Sequence, residues 1–345
     1  MNAITYKNAG VDRGRGESIK NAIGHAAADS FNQNVLRGIG LFSGFYALDT
    51  KGIHNPVLVS SMDGVGTKVK VAQTMGVYDS LGEDLVNHCV NDIMVSGADP
   101  LFFLDYIAAD QLDPHIVGEI IRGITRACKN AQCALVGGET AEMPGVYLQN
   151  NFDLAGAIVG IVDREAIIDG SKISVGDVLI GVASNGLHTN GFSLARKILF
   201  DLKNYKPAQH FSEIGSNLGE ELLKVHRSYQ SLIGQVRSVP GLHGISHITG
   251  GGIIDNTKRL LSKTCDLKID WTAWEPPPIF KLIQQDGSVP DSEMQHVFNM
   301  GIGLVLIVDK SDTQKFLDIC QSTKEPAYVI GSVVQKSNRE EAWRV

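Results

Sequence analysis

Along most of the chain, short unbroken apolar runs alternate with longer stretches in which apolar residues recur every three or four positions. Val57-Leu58-Val59 predicts a strand over 57–61, followed by a turn and a helix starting near Thr67. Leu81, Leu85, Val86, Cys89, Val90, Ile93 and Met94 keep helical spacing over about 80–96, and Leu101 to Ala108 reads as a strand. Asp113-Pro114 marks a helix start, an acidic N-cap before proline at the first helical position, with Ile116, Val117, Ile120, Ile121 and Ile124 as its buried stripe. Strands are predicted next at 133–136 and 154–162. The second half continues with a strand at 178–183, a helical run from Phe192 to Leu199, a turn-to-helix step after His247 and a buried strand from Gly303 to Val308. In the first fifty residues Gly14, Gly16, Gly38, Gly40 and Gly44 interrupt any long helical pattern, which predicts a mobile or wrapping segment. Strands mixed with helices in both halves predict an α/β (α+β) protein. The turns at Asp169-Gly170 and Val175-Gly176-Asp177 put a boundary near 169, giving domains 1–169 and 170–345.

Composition narrows the class. The 345 residues are 43% hydrophobic and 20% charged, as in a globular protein with room for two cores. A formal net charge of −7 offers no basic surplus for a nucleic-acid backbone, and no apolar run reaches the roughly 18 residues of a membrane span, so neither polynucleotide nor membrane is an expected partner. With no cationic-then-apolar leader at Met1 to Lys7, the expected location is cytoplasmic. Five cysteines without a Cys-x-x-Cys pair suit reduced thiols.

The candidate chemistry lies where apolar runs end. Gly137-Gly138-Glu139-Thr140-Ala141-Glu142-Met143-Pro144-Gly145 follows Cys133 to Val136 and reads as a turn that sets two carboxylates among exposed amides. Amides attract anions and carboxylates hold hard cations, so the stretch suits a phosphorylated ligand with Mg²⁺. Asp63-Gly64-Val65-Gly66-Thr67-Lys68 has the content of a phosphate loop without the Walker order. Gly64 and Gly66 would admit a phosphate to the backbone, Lys68 would add a point charge and Asp63 would hold the metal. Asp92, inside an otherwise apolar helix face, and Asp105, inside an apolar strand, must each be exposed, paired or metal-bound, because burying an unpaired carboxylate is costly. In the second half, Ser184 to Gly191 and His247 to Gly252 present glycine, hydroxyl and amide groups ahead of helices, and either could take a phosphate. His188 and His247 lie in these turns; the other histidines, His88 among them, read as surface or packing residues.

Together with Tyr6 to Asp12, Asn91-Asp92-Ile93, Gly97 to Tyr106 and Phe298 to Gly303, these motifs resemble the phosphoribosylformylglycinamidine cyclo-ligase (aminoimidazole ribonucleotide synthetase) family nearly end to end. The resemblance implies two domains, each a mixed sheet with helices, and a homodimer in which N-terminal sheets form a barrel across the interface. It implies ATP-dependent closure of formylglycinamidine ribonucleotide to aminoimidazole ribonucleotide, with ADP and phosphate released, in purine biosynthesis. Residues 1–169 would bind ATP and metal and dimerise, and 170–345 would complete the substrate cleft. On matching positions, Asp63, Asp92 and Glu139 would hold Mg²⁺, with Gly64, Gly66, Thr67 and Lys68 around the polyphosphate. Gly138, Glu139, Thr140, Glu142, Asn190, Gly191, His247, Gly250 and Gly251 would contact substrate, and His188, Glu139 and Lys68 would act in catalysis. The pattern departs from the family at Arg13 to Glu17 and Gly38 to Gly44, where ATP contacts, from Lys20 for example, are not aligned. Thiamine-monophosphate kinase, selenophosphate synthetase and hydrogenase-maturation relatives fit less well, since the chain lacks a reactive N-terminal Cys and a C-terminal Cys. A regulatory protein that had lost catalysis would lack the acids that stand here at 63, 92 and 139.

Overall fold

The computed structural model describes residues 13–336 together with Ile4, Asn8 and Val11; the remainder of the Tyr6 to Asp12 motif and the C-terminal residues Glu341 to Val345 lie outside the described residues. The chain divides into two compact units, residues 1–94, 98–165 and 205–228 in the first and 95–97, 166–204 and 229–345 in the second.

The first unit opens with α1 (Arg13–Ala27), where the sequence predicted a mobile or wrapping segment. Glycine costs a helix about 1 kcal/mol each against alanine, but Ile19, Ile23 and Ala27, four residues apart, bury one stripe and hold α1 in place. Short strands β1 (Val35–Arg37) and β2 (Phe45–Tyr46) pair antiparallel. Then come β3 (Pro56–Gly64), α2 (Lys68–Met75), α3 (Asp79–Met94), β4 (Asp99–Ala109), α4 (Pro114–Asn130), β5 (Ala134–Glu142) and β6 (Phe152–Asp163). Asp113 caps α4 as predicted, its Oδ1 accepting the His115 and Ile116 N–H groups.

The four long strands form one sheet in the order β3-β6-β4-β5, antiparallel except for the parallel β4–β5 pair. The acidic stretch expected as a turn is therefore strand as far as Glu142, in register with β4 from Phe102↔Ala134 to Ala109↔Glu142. Gly138 permits this, because a Cβ there would collide with Asp105 on the neighbouring strand. The turn begins at Met143, and Gly145 takes its left-handed conformation. Asp63 and Gly64 likewise end β3 instead of opening a loop.

In the second unit β7 (Val178–Ala183) leads to α5 (Phe192–Arg196), which continues through 197–202 in wider π-helical turns. The chain next gives the first unit β8 (His210–Phe211), β9 (Ser216–Asn217) and α6 (Leu218–Leu222). It then completes the second with α7 (Gln230–Val236), β10 (Leu242–His247), α8 (Gly252–Lys258), β11 (Cys265–Ile269), α9 (Pro278–Gly287), α10 (Asp291–Val297), β12 (Ile302–Val308), α11 (Thr313–Ser322) and β13 (Ala327–Gln335). The five-stranded sheet runs β10-β12-β7-β13-β11, and every pairing is antiparallel, so only the first unit carries the mixed sheet expected of both. All seven residues of β12 are buried, as befits a central strand covered on both faces. The five cysteines are unbridged, and no described helix is long and apolar enough to cross a membrane.

One buried ion pair ties the returning segment 205–228 to α2 and α3. Lys68, wholly inaccessible, places Nζ 2.8 Å from Asp84 Oδ2 and 2.7 Å from the Lys224 carbonyl oxygen, while the His226 N–H donates to Asp84 Oδ1 at 2.6 Å. Burial pulls the ammonium pKa down and pushes the carboxyl up, each opposed by the partner's charge. Lys68→Met leaves Asp84 buried and uncompensated, and should cost about 3–5 kcal/mol in urea denaturation, with much of the loss recovered by adding Asp84→Leu.

Candidate active site

The first sheet sets acids and glycines in one row. Asp63 on β3 pairs with Gly156 on β6, Gly156 with Asp105 on β4, and Asp105 with Gly138 on β5. Paired positions share a face, and here it is the face covered by α3, since a Cβ on Gly156 would meet Phe103 and Leu85. The row spans roughly 14 Å from Asp63 to Gly138 at the usual strand spacing.

At the β3 end, α3 answers the acids. Nε2 of His88 lies 2.9 Å from Asp63 Oδ2 and 3.9 Å from Oδ2 of Asp92, one helical turn further on, and Asp92 also accepts the Ser61 hydroxyl at 2.9 Å. Burial alone would lower the His88 pKa, but the hydrogen bond it donates to Asp63 and the charges of Asp92, Asp63 and Asp84 raise it. Burial raises the Asp63 carboxyl, yet the His88 hydrogen bond and charge and the Gly64 N–H bring it below the usual carboxylate range. His88, read from the sequence as surface or packing, is thus the imidazole that two candidate metal ligands share. Its visible signal was the i, i+4 spacing to Asp92. Two partly exposed carboxylates turned on one cationic group are a donor set that fits a hard dication.

The Asp63-to-Lys68 loop differs from the expected cradle. The Gly64 N–H is taken by Asp63 Oδ1 at 2.7 Å, Gly66 has a left-handed φ of 54°, and Thr67 stands as N-cap of α2 without a side-chain cap bond. Lys68 is turned inward to Asp84, so its charge is spent within the protein and is not offered to a phosphate or to catalysis. The sequence could not distinguish the two uses because Asp84 lies sixteen residues away, in a different helix.

At the β5 end, α1, residues 39–42 and the strands enclose a cavity of about 820 Å³, lined among others by Lys20, Asp105, Gly138, Glu139 and Thr140. Asp105 is 5% exposed, and its Oδ2 has no hydrogen-bond partner among the described residues. Burial, with the Glu139 charge adding, pushes its carboxyl up to about 7. Glu142 stands apart from this group, its Oε1 accepting the Leu112 N–H at 3.2 Å. Of the three expected metal ligands, Asp63 and Asp92 therefore face one another's partner, while Glu139 belongs to the cavity at the far end of the row.

In the second unit the two glycine turns meet. A Cβ on Gly250 would stand 3.3 Å from Asn190 Oδ1. The 249–252 turn is pinned by Asn256, whose Nδ2 donates to the carbonyls of Thr249, Gly250 and Gly252 at 3.3, 3.1 and 2.8 Å. Asn299 does the same for the other turn, donating to the Gly186 carbonyl at 2.9 Å and accepting the Ser184 hydroxyl at 3.2 Å. His188 is buried with a left-handed φ of 62°, its ring 6.2 Å from that of Tyr229. Gly303 makes room for both rings, since a Cβ there would strike each. Gly191 and Gly251 are the left-handed N-caps of α5 and α8, and His247 ends β10, buried. Asn256 carried no signal in the sequence beyond its type, and Asn299 only its place inside the Phe298 to Gly303 motif.

Residues 49–162 match the family described as AIR synthase related protein, N-terminal domain, and residues 174–343 match its C-terminal domain. Among solved structures, the thiamine-monophosphate kinase of Stenotrophomonas maltophilia K279a superposes with a TM-score of 0.69 at 14% identity, covering 91% of this chain and 93% of that one. The E. coli hydrogenase maturation protein HypE does so with a TM-score of 0.67 at 18% identity, covering 93% and 92%. Fold and domain matches together define a protein of the AIR synthase related class. Within it, the phosphoribosylformylglycinamidine cyclo-ligase of Carboxydothermus hydrogenoformans is 48% identical over 339 residues, 98% of each chain. The chain belongs to the phosphoribosylformylglycinamidine cyclo-ligase family.

Asp105 carries a pH signature. Its folded pKa lies above the unfolded value, so the unfolded state ionises first, and its contribution to stability declines as pH rises from about 4 to 7 and stays low above that. At 1.36 kcal/mol per pH unit the full effect is roughly 4 kcal/mol. Ligand-free Asp105→Asn should therefore be more stable than wild type at pH 8, with the difference closing near pH 4, as read by urea denaturation across that range.

Proposed function

We propose that the chain catalyses ATP-dependent ring closure of formylglycinamidine ribonucleotide to aminoimidazole ribonucleotide, releasing ADP and phosphate. The observation that carries this reading is the 48% identity to a cyclo-ligase across 98% of both chains, which leaves no domain unaccounted for. The formyl oxygen of an amide is a poor leaving group; once it has taken the γ-phosphoryl group of ATP, an amidine nitrogen can attack the formyl carbon and phosphate departs.

Asp63 and Asp92 would hold Mg²⁺, which when bound neutralises charge on the polyphosphate. His88 keeps both carboxylates oriented before nucleotide arrives, and its charge becomes dispensable once a dication is present. Gly66 and Thr67, at the start of α2, would approach phosphate, with Lys68 holding the loop from beneath. Glu139 and Thr140 would face the ribonucleotide from the cavity. Gly138 lets that strand lie close to Asp105, and Glu142 fixes the strand's end. In the second unit the pinned turns carrying Asn190, Gly191, His247, Gly250 and Gly251 would bind substrate or its phosphate, and His188 would move a proton.

A homodimer fits the other face of the first sheet. Leu58 and Met62 are 62% and 68% exposed there, and Met62 aligns in one row with Ala157 and Leu104. So broad an apolar face on an antiparallel sheet calls for a cover, and a second copy of the same sheet would supply it.

Purified protein mixed with ATP, Mg²⁺ and formylglycinamidine ribonucleotide should yield the aminoimidazole product and ADP in equal amounts; ADP formed at the same rate without the ribonucleotide would overturn the reading. Asp63→Asn should raise the Mg²⁺ and ATP concentrations needed for half-maximal rate at least tenfold while the melting temperature stays close to wild type, removal of a charged contact being worth roughly 1.5–3 kcal/mol. Met62→Lys should shift the protein from dimer to monomer in light scattering, and an unchanged mass would remove this face from the interface.

A further inference from the structure

The cavity beside β5 holds a carboxylate that the chain leaves without a partner. Asp105 is nine-tenths buried, its Oδ2 accepts no hydrogen bond from any described residue, and it lines the cavity together with Glu139 and Thr140. A buried acceptor of this kind carries a desolvation cost that only a donor can lift. The surroundings select the donor's charge. Among the described residues, Glu17, Asp105 and Glu139 bring three carboxylates to the lining against the ammonium of Lys20 and the imidazole of His25, a balance that disfavours a metal-free triphosphate and favours a cationic or N–H-rich group.

The substrate named above has one such group. Its amidine carries two nitrogens: one bears the ribose and enters the ring, while the terminal one stays outside it as the amino group of the product. We propose that Asp105 is the substrate-recognition residue for that terminal nitrogen, accepting its N–H on Oδ2 and leaving the ribose-bearing nitrogen free to attack the formyl carbon. As that attack proceeds, positive charge spreads onto the terminal nitrogen, where a fixed carboxylate stabilises it more than in the ground state. The same contact sets specificity. In the amide counterpart, with oxygen in place of the terminal nitrogen, the ionised Asp105 faces a second acceptor, and the two can pair only if the carboxyl first takes up a proton. Gly138, having no Cβ, leaves the Asp105 carboxylate its room beside β5.

This inference rests on the ring-closing activity, and one set of assays separates the two. Wild type and Asp105→Asn are compared for kcat/KM with the amidine substrate, KM for ATP, half-saturating Mg²⁺, and inhibition by the amide counterpart. The variant should lose roughly ten- to hundredfold in kcat/KM for the amidine, the range for one hydrogen bond to a charged group. It should bind the amide more tightly than wild type does, because the new side-chain NH₂ can donate to the amide oxygen. ATP and Mg²⁺ values should stay within twofold. An unchanged kcat/KM overturns the assignment, as does a shift confined to ATP, which would put the nucleotide base in the cavity, or to Mg²⁺, which would make Asp105 a metal ligand. Wild type that forms no ring product overturns both readings; wild type that turns over normally beside an unperturbed variant overturns this one alone. The variant's urea denaturation curve at pH 8 guards against misfolding, and an Asp105→Ala variant that loses amidine turnover without gaining amide affinity separates recognition from packing.

Discussion

A carboxylate drawn out of solvent must be answered, and the first unit is organised by how three of them are. Asp84 is answered inside the protein, by Lys68 and a backbone N–H, and the result is a structural clamp. Asp63 is answered by His88, a partner shared with Asp92 and able to give way to a metal because its own charge is conditional. Asp105 has one oxygen, Oδ2, that no described residue answers. The same desolvation cost is thus met in three ways, by a full internal clamp, by one imidazole shared between two carboxylates, and at Asp105 Oδ2 by no described donor.

The second unit meets a related problem with neutral groups. Turns rich in glycine lose much entropy on ordering, and a phosphate or ribose contact gains little from a turn that must first stop moving. Asn256 and Asn299 remove that difficulty, each spanning several backbone groups of a turn with one amide. A carbonyl-binding amide adds rigidity without adding charge, which keeps the turn's remaining N–H groups attractive to an anion. Acidic cavity wall and neutral turns therefore differ in the ligand groups they can accept.

Much of this was legible in the sequence. Apolar periodicity located the long elements from β3 to β6 but not α9, α11 or β13, and Asp113-Pro114 set a helix start to the residue, because such signals are local. The failures have a common cause. Glycine read as a breaker in α1 and as a turn former at 137–138, yet in α1 a buried isoleucine stripe outweighs the glycine cost, and on β5 glycine answers a neighbouring strand that single-sequence reading does not see. Lys68 read as a phosphate ligand and His88 as packing for the same reason: their partners lie sixteen and twenty-five residues away, and only the approach of α3 to β3 decides what each charge is used for. Residue types that suit a metal–nucleotide site were visible; the division of labour among them was not.

The alternation of aspartate and glycine along one sheet row explains why the acids can sit where they do. Asp105 needs lateral space that a Cβ on β5 would take, and Gly138 leaves it, while Gly156 makes room for Phe103 and Leu85 between the sheet and α3. Alanine at 156 would press on Phe103 and Leu85 and separate α3 from the sheet, which would also move His88 relative to Asp63. Alanine at 138 would displace Asp105 itself. The glycines are thus part of the electrostatics: by fixing how closely strand and helix approach, they fix which acids find a partner within the protein and which one is left to bind a ligand.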